Sequence, residues 1–232
     1  MNDLLAGLAQ ALGLIISADQ SLYEVIWFSL AVSGLALAIS LVSGIPLGVF
    51  LGLKRFLGRR FVLALLYTGM GFPPVVIGLF VYLLFSRSGP VGGLGWLFTP
   101  KAIIAAQTII SLPLVAGFTM AAVMGVDPGL RQQLISLGAT DWQATWTTLV
   151  EARIGVVVAI IAGLGSIISE VGAVMLVGGN IAGKTRTLTT AIVFETRKGN
   201  FDLALALGII LLLITFLINL VMIWLQGREL AR

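Results

Sequence analysis

The sequence lacks cysteine and histidine altogether, and only 10% of its 232 residues are charged. Without cysteine, the chain can form neither a disulfide framework nor a thiolate metal site. Without histidine, it lacks the side chain that most often serves as a general base or a metal ligand. A typical soluble domain carries about 25% charged residues. These absences predict no metal, no cofactor and no catalytic residue in this chain, and they argue against a soluble domain.

Hydrophobic residues, by contrast, make up 59% of the chain. A compact soluble fold always leaves much of its surface in water, so a chain of this length could not hide so much apolar area. A lipid bilayer as the surrounding solvent removes this conflict. The net charge of +4 is small and scattered, which predicts no nucleic-acid partner. The composition therefore predicts an all-α, multi-pass protein of the cell membrane.

Five apolar stretches are long enough to cross a bilayer, for which a helix needs about 20 residues. They cover residues 25–53, 61–86, 102–126, 154–183 and 203–227, and only Glu170 interrupts one of them. We therefore predict a transmembrane domain over residues 21–232 with about five membrane-spanning helices.

Residues 1–20 differ from these stretches. Four apolar residues fall on one face of a helix there, namely Leu4, Leu8, Leu12 and Ile16. Such a pattern predicts an amphipathic helix that lies in the membrane interface. A short sixth span is the alternative, although about 15 uncharged residues are marginal for crossing.

The basic residues between the stretches favour an N-terminus outside the cell, because cytoplasmic loops carry an excess of Lys and Arg. In that orientation eight of them face the cytoplasm: Lys54, Arg55, Arg59, Arg60, Arg131, Arg153, Arg228 and Arg232. Six face outward: Arg87, Lys101, Lys184, Arg186, Arg197 and Lys198. The tight cluster at 54–60, beside the first stretch, strengthens this small difference.

Glycine and proline positions suggest close helix packing and broken helices. Gly44, Gly48 and Gly52 are four residues apart, so they line one helical face and let a second backbone approach closely. Pro73 and Pro74 must open the hydrogen-bond ladder of the second stretch. Broken helices at membrane depth occur where the backbone is buried in protein or lines a watery cavity. Ordinary membrane-helix packing is the alternative explanation for each of these residues.

Residues 178–185 read Gly-Gly-Asn-Ile-Ala-Gly-Lys-Thr and fit the G-x-x-x-x-G-K-[ST] pattern of a phosphate-binding loop. A nucleotide site also needs a second strand ending in a carboxylate that helps to hold magnesium. The acids downstream of this pattern are Glu195, Asp202 and Glu229, and none follows an apolar strand. A membrane-embedded NTPase using Gly178 to Thr185 is therefore kept only as an alternative. A helix-end break facing a pore or gate explains the glycines better, with Gly178, Gly179 and Asn180 as candidate residues.

Glu170 and the nearby Gly172 are further candidates for the pathway or gate. A carboxylate at membrane depth is costly and usually faces the bundle interior or a watery path. It could pair with a basic residue, accept backbone hydrogen bonds or relay protons. We favour a structural role, because no second intramembrane acid or histidine completes a relay.

Four outward-facing basic residues form what we call the outer basic cluster: Lys184, Arg186, Arg197 and Lys198. Cations near a narrow mouth raise the local concentration of an anion. The same residues could instead dock an acidic patch of a partner protein, or could simply pair with Glu195 and Asp202.

The loop at residues 127–153 is the one sizeable loop predicted on the cytoplasmic side. Leu130, Leu134 and Leu137 form an apolar stripe at helical spacing, and Gly138 is the expected helix stop. Trp142 and Trp146 follow on a second amphipathic segment. The pattern predicts a short exposed helix that suits docking into a groove of a partner. A helix that merely lies on the lipid headgroups is the alternative.

This loop resembles the cytoplasmic coupling motif of permease subunits in ATP-binding-cassette importers. The family pattern is Glu-Ala-Ala, three residues, Gly, nine residues and Ile-x-Leu-Pro. Gly138 aligns with the family glycine within Leu137-Gly138-Ala139. The sequence departs from the pattern at 132–134, which reads Gln-Gln-Leu, and at 148–151, which reads Thr-Leu-Val-Glu. The segments at 44–48 and 71–78 resemble the same permease family. The segments at 168–181 and 185–192 resemble the molybdate and tungstate permeases, most closely the tungstate branch.

The resemblance implies the fold of a type I importer permease and a subunit that catalyses no bond chemistry. It implies that two copies form a pathway for an oxyanion, tungstate in the first instance, with molybdate, sulfate or another oxyanion as alternatives. The implied partners are two ATPase subunits, which would bind ATP and magnesium, and an external substrate-binding protein. The residues it assigns to ATPase coupling are Arg131, Leu134, Leu137, Gly138, Ala139 and Asp141.

Overall fold

The structure is a computed structural model that describes residue 13 and residues 20–230. The interfacial helix predicted for residues 1–20 lies almost entirely outside the described residues. Across residue 13 and residues 20–230 the regular elements are all helices, which confirms the all-α prediction. In chain order we number them α1 (Gln20–Leu53), α2 (Arg59–Met70), α3 (Pro74–Phe85), α4 (Pro100–Met124), α5 (Pro128–Ser136), α6 (Asp141–Glu151), α7 (Arg153–Ile168), α8 (Gly172–Gly178), α9 (Leu188–Arg197) and α10 (Phe201–Leu230).

Three helices are long and apolar enough to cross a membrane without a break. The crossing segments are Leu22–Leu53 in α1, Pro100–Met124 in α4 and Phe201–Trp224 in α10. At about 1.5 Å per residue, each exceeds the roughly 30 Å thickness of the hydrocarbon core. Two bent pairs, α2 with α3 and α6 with α7, also pass the test of length and composition, which gives three to five candidate spans. In the second pair α7 is the apolar helix, whereas α6 belongs to loop 127–153. The prediction of about five spans is therefore confirmed.

The second and fourth predicted spans are not continuous helices. The axis of α3 is bent by 101° from that of α2 at the break between them. The chain turns at Gly71 and Pro73, and Pro74 begins α3 because a proline at the first helical position has no amide hydrogen left unsatisfied. The break expected from Pro73 and Pro74 is thus confirmed. The fourth stretch, predicted over 154–183, contains α7, an interruption at 169–171, and then the short α8.

A close helix crossing joins α1 to α4 through the glycines of α1. A Cβ atom on Gly48 would lie 2.5 Å from the carbonyl oxygen of Ala116, closer than real Cβ atoms approach. A Cβ on Gly44 would lie 2.9 Å from Val115, and one on Gly52 would lie 3.2 Å from Val123. The prediction that this glycine face admits a second backbone is confirmed.

Buried polar side chains join the helices of the core. The Gln107 amide nitrogen on α4 donates to Ser33 Oγ on α1 and to the Ile167 carbonyl at the end of α7, both at 3.2 Å. The hydroxyls of Ser40 and Ser111 lie 2.6 Å apart across the α1–α4 contact. A polar group buried away from water is costly unless it finds a hydrogen-bond partner. These bonds fix the end of α7 relative to α1 and α4.

Contacts between loops define the two ends of the molecule. At one end, Lys54 after α1 forms an ion pair of 3.4 Å with Asp141 at the start of α6. At the other end, the Phe98 amide before α4 donates to the Val177 carbonyl in α8 at 2.9 Å. Loop 127–153 and the basic cluster at 54–60 therefore share one end, as the predicted orientation requires. The segment after Glu170 lies toward the opposite end.

Candidate functional site

Helix α5, in loop 127–153, begins and ends at residues with clear capping roles. The Asp127 carboxylate accepts a hydrogen bond of 2.9 Å from the Gly129 amide, and Pro128 occupies the first helical position. The helix ends at Leu137, and Gly138 adopts a left-handed conformation with φ of 92°. Glycine takes this conformation without the steric cost of a side chain. The prediction that Gly138 stops the helix is confirmed.

Helix α6 starts only three residues later, with a reciprocal cap. Thr140 Oγ1 accepts from the Gln143 amide at 3.3 Å, while the Gln143 side-chain oxygen accepts from the Thr140 amide at 2.8 Å. This arrangement satisfies two backbone donors that would otherwise lack partners. The two helices and their short turn therefore form a defined unit, and the T-x-x-Q spacing that signals the cap can be read in the sequence.

Asp141 connects this unit to the rest of the protein. Its carboxylate accepts from Arg131 at 2.6 Å and pairs with Lys54 at 3.4 Å. The hydrogen bond from Arg131, with the nearby charge of Lys54, holds the pKa of the Asp141 carboxyl below its usual range. An exposed pair of this kind contributes little to stability. Its consequence is geometric, because it connects α5 and α6 to the end of α1.

The predicted coupling residues divide into an exposed set and a half-buried set. Leu137 is 86% exposed, and no atom lies within 4 Å of a Cβ built on Gly138. Leu134 and Ala139, together with Arg131, are half-buried against the protein. Of the predicted apolar stripe, Leu137 is exposed, whereas Leu130 and Leu134 are half-buried. The apolar side chains that α5 and its end present outward are Ile135 and Leu137.

Glu170 stands at the interruption between α7 and α8. Its Oε1 accepts a hydrogen bond of 2.8 Å from the Ala173 amide, in the first turn of α8. Its backbone carbonyl accepts from Thr189 Oγ1 at 3.0 Å. Within residues 20–230 no Lys or Arg side chain forms an ion pair with it. The carboxylate thus satisfies a free amide at a helix start, where a negative charge is favoured.

Glycines let α8 pack directly on its neighbours. A Cβ on Gly172 would lie 2.5 Å from Val75, and a Cβ on Gly78 of α3 would lie 2.5 Å from the Cα of Ala173. A Cβ on Gly178 would lie 2.9 Å from Ile103 of α4. Close packing therefore requires glycine at two of the candidate gate residues, Gly172 and Gly178. A third, Gly179, has a positive φ that favours glycine.

The chain turns sharply after α8. Gly179 has φ of 72°, and Asn180 adopts φ of 50°, an unusual conformation for any residue other than glycine. The Asn180 side-chain oxygen accepts from Arg186 Nε at 3.2 Å, which closes the loop between them. Thr185 is fully buried beneath the loop, donating to the Gly178 carbonyl at 2.6 Å and accepting from the Ile181 amide at 3.0 Å.

This geometry is incompatible with a phosphate-binding loop. In such a loop the backbone amides point at the phosphates and the Thr hydroxyl binds magnesium. Here the amides of Lys184, Thr185 and Arg186 all donate to the Ile181 carbonyl, at 2.9 to 3.1 Å. The Thr185 hydroxyl is already bonded on both sides. Residues 178–185 form a compact turn, and this geometry does not support the alternative of an NTPase site at Gly178 to Thr185.

Two cations of the outer basic cluster contact an aromatic ring, and two do not. Arg186 and Lys198 both lie against the ring of Phe194, at 4.7 Å and 4.2 Å from its centroid. Lys184 and Arg197 are exposed, and the described chain gives them neither an ion pair nor a ring contact. The contacts of Phe194 were missed in the sequence, although its spacing of four residues from Lys198 places the two on one helical face.

Glu195 is the acid of this region that the structure pairs as expected. It accepts from Lys198 at 3.3 Å and from the Asn200 amide at 2.7 Å. The Asn200 hydrogen bond, assisted by Lys198, lowers the pKa of Glu195 in spite of its burial. Local pairing is therefore confirmed for Lys198. Asn200 was missed, because it lies in the turn before α10 and only the fold brings it to the carboxylate.

A family model described as "Binding-protein-dependent transport system inner membrane component" matches residues 44–228. The chain belongs to this family. The match covers most of the transmembrane domain, including loop 127–153 and the segment around Glu170. The permease is accordingly a multi-pass protein of the inner membrane, as its composition predicts.

Several transport permeases are similar to this chain over most of its length. A probable anion ABC transporter permease protein of Haloferax volcanii is 45% identical over 82% of this chain and 84% of the relative. The tungstate uptake system permease protein TupB of Peptoclostridium acidaminophilum is 37% identical over 97% of this chain and 99% of the relative. The molybdenum transport system permease protein ModB of Escherichia coli K12 is 30% identical over 73% and 78%. The permease is therefore similar to subunits of ATP-binding-cassette transporters for anions.

Solved structures share its fold. A bacterial ABC transporter involved in the import of the acidic polysaccharide alginate matches with a TM-score of 0.74 and 23% identity, over 90% of this chain and 80% of that chain. An inward-facing MetNI methionine ABC transporter matches with a TM-score of 0.70 and 22% identity, over 88% and 94%. At these identities the likeness concerns the fold alone, and it confirms the predicted importer permease fold.

Proposed function

We propose that the permease forms, as one of two copies, the translocation pathway of an ATP-driven tungstate importer. The observation that carries this proposal is similarity to tungstate uptake permeases along nearly the whole chain. The relatives named for molybdenum are less similar and are matched over less of the chain. Molybdate, sulfate or another oxyanion is the alternative substrate.

We assign ATP hydrolysis to two separate ATPase subunits, which would bind the ATP and magnesium. The surface that would meet them consists of Ile135, Leu137 and Gly138, which α5 and its end expose. Asp141, held by Arg131 and Lys54, would carry movement of this surface to α1. From α1 the movement would pass to α4 through the glycine contact. A ligand can drive such a two-state change only if its contacts differ between the states.

The pathway segment in this proposal is the interrupted fourth span, from Glu170 to Asn180. A carboxylate cap and close glycine contacts support a fixed break there. Non-helical backbone at membrane depth is tolerated where it lines a cavity or is buried in protein. An external binding protein would release the oxyanion at this end of the molecule.

Lys184 and Arg197 are the cations of the outer basic cluster best placed to attract an anion, since Arg186 and Lys198 are engaged at Phe194. Replacing Lys184 and Arg197 together by Gln should lower tungstate uptake at low salt. Uptake should converge with the parent at high salt, because the Debye length falls to about 3 Å at 1 M and exposed charges are then screened. Equal uptake at every ionic strength would contradict this role.

Stimulation of ATP hydrolysis tests the assembly and its substrate together. The permease, its ATPase subunits and the binding protein would be reconstituted, and hydrolysis measured with the binding protein empty or loaded. The proposal expects tungstate-loaded binding protein to stimulate hydrolysis well above the empty form. Stimulation by molybdate or sulfate alone would establish the alternative substrate. An equal rate of ATP hydrolysis with empty and with loaded binding protein would contradict the proposed coupling.

A further inference from the structure

An apolar groove of about 520 Å³ separates α1 from α6 at the end of the molecule that carries loop 127–153. One wall is a face of α1 that runs from Leu41 to Leu53. The other wall is the face of α6 that bears Trp142, Trp146 and Leu149, whose spacing places them on one side of that helix. We call this the α1–α6 groove.

The depth of the groove corresponds to one leaflet of a bilayer. The stretch from Leu41 to Leu53 extends about 18 Å at the helical rise of about 1.5 Å per residue. Half of the hydrocarbon core is about 15 Å. Val42 is 78% exposed and Phe50 is 49% exposed, although both lie in the continuous span of α1. This wall therefore lies at membrane depth, where a soluble subunit does not reach it.

Two tryptophans mark the membrane interface at the wide end of the groove. Trp142 and Trp146 are 73% and 57% exposed, and their rings stack with centroids 6.4 Å apart. Indole rings favour the headgroup level, because they combine an apolar body with a polar N–H. Helix α6 therefore lies where acyl chains meet headgroups.

The mouth of the groove carries excess positive charge. Lys54 lines the groove, and its side chain is 53% exposed. It shares the Asp141 carboxylate with Arg131, so two cations face one anion. Arg55 follows in the chain and is exposed. An anionic group at the mouth would neutralise this excess.

We propose that the α1–α6 groove binds one anionic phospholipid of the cytoplasmic leaflet. An acyl chain lies between α1 and the tryptophans of α6, and the headgroup phosphate lies against Lys54. The apolar walls match the chain, and the charge at the mouth matches the phosphate. Each Lys or Arg near a surface contributes about 1 kcal/mol of attraction to anionic lipid. That attraction corresponds to roughly fivefold in affinity.

Tryptophan quenching by brominated lipid tests the site directly. The full chain would carry Trp27→Phe, Trp96→Phe and Trp224→Phe, so that its emission comes from Trp142 and Trp146 alone. In nanodiscs of phosphatidylcholine, acyl-dibrominated phosphatidylglycerol should quench more than dibrominated phosphatidylcholine at equal mole fraction. Lys54→Gln should reduce the apparent affinity for phosphatidylglycerol roughly fivefold. Inorganic phosphate added to nanodiscs without brominated lipid should not quench the tryptophan emission, because the quenching atoms are the bromines on the acyl chain.

A matched pair of variants checks the location. Thr145 lines the groove and Thr147 does not, yet each is on α6 and donates its hydroxyl to the carbonyl four residues earlier. Thr145→Phe should fill the groove and abolish the excess quenching, whereas Thr147→Phe should retain it. Equal quenching by the two lipids, or equal effects of the two variants, would overturn the proposal.

The assembled transporter distinguishes the lipid from other occupants. Native mass spectrometry of the complex with its ATPase subunits should retain phosphatidylglycerol, and the Thr145→Phe complex should retain less. Loss of the lipid upon assembly would assign the groove to the ATPase or to the second copy and would overturn the proposal.

Discussion

Thr185 belongs to a pattern that, from its letters alone, matches a nucleotide-binding loop. In the fold its hydroxyl bridges the Gly178 carbonyl and the Ile181 amide and lies beneath the turn. The sequence already argued against a nucleotide site, because no strand with a terminal carboxylate follows the pattern. What the sequence could not provide was the actual use of the hydroxyl, since this depends on the path of the chain between 178 and 185.

Removing the Thr185 hydroxyl should destabilise this turn. Thr185→Val keeps the shape of the side chain but leaves the buried Gly178 carbonyl and the part-buried Ile181 amide without their partner. We expect the free energy of unfolding to fall by about 1–3 kcal/mol. Reversible unfolding in mixed micelles measures the change, and Thr185→Ser, which keeps the hydroxyl, is the control. A Val variant as stable as the parent would contradict the bridge.

Sequence reasoning at the level of single residues succeeded where the cause is local. Gly138 was predicted as a helix stop because glycine tolerates a left-handed backbone, and its φ of 92° confirms this. Glu170 was expected in a structural role, but its bond to Ala173 required knowledge of where α8 begins. The stacking of Arg186 on Phe194 joins residues from two elements, and no periodicity indicates it.

The sequence predicted the positions of the spans and one of the two helix interruptions. Apolar length located the spans, and the paired prolines located the bend between α2 and α3. The interruption at Glu170 was hidden, because residues 154–168 and 171–183 read as one apolar run around a single charge. Hydrophobicity reports which residues face lipid or protein, not whether the helix between them is continuous.

The α1–α4 crossing should respond to one added methyl group. Gly48→Ala would place a Cβ 2.5 Å from the Ala116 carbonyl oxygen, so the helices must separate. We expect a loss of about 1–3 kcal/mol in the free energy of unfolding. Gly34→Ala on the same helix meets nothing within 4 Å, and it should stabilise by about 0.5–1 kcal/mol through its higher helix propensity. Changes of the same sign and size in both variants would contradict the close crossing.

The turn after α5 should be sensitive to bulk if it meets an ATPase. Gly138→Trp should reduce copurification of the ATPase subunits and substrate-stimulated hydrolysis, while the permease itself stays folded. Gly58→Trp is the matched control, because Gly58 also has a positive φ, of 85°, and open space around it. A Gly138→Trp complex with normal stimulated hydrolysis would refute the coupling role.

The molecule as a whole has two chemically different ends. The end with loop 127–153 joins the basic cluster at 54–60 through the Lys54–Asp141 pair. The opposite end carries the turn after α8 and the outer basic cluster. The succession of five predicted spans assigned these loops to opposite sides of the membrane. The count of basic residues then assigned one side to the cytoplasm.

Single cysteines can establish the orientation, since the parent has none. In intact cells, cysteines at Gly58 and Ser136 should resist a membrane-impermeant thiol reagent, and a cysteine at Asn200 should react. Permeabilised cells provide the control in which all three should be labelled. Labelling of the Ser136 cysteine from outside would overturn the topology and the coupling role together.

Accumulation of tungstate inside proteoliposomes is the most direct test of the proposed importer. The complex would be oriented with its ATPase subunits in the lumen, with ATP enclosed and loaded binding protein outside. We predict that lumenal tungstate rises above its external concentration only with hydrolysable ATP, and that Gly138→Trp abolishes the rise. Accumulation that does not require ATP, or its absence with a folded and fully assembled complex, would contradict the proposal.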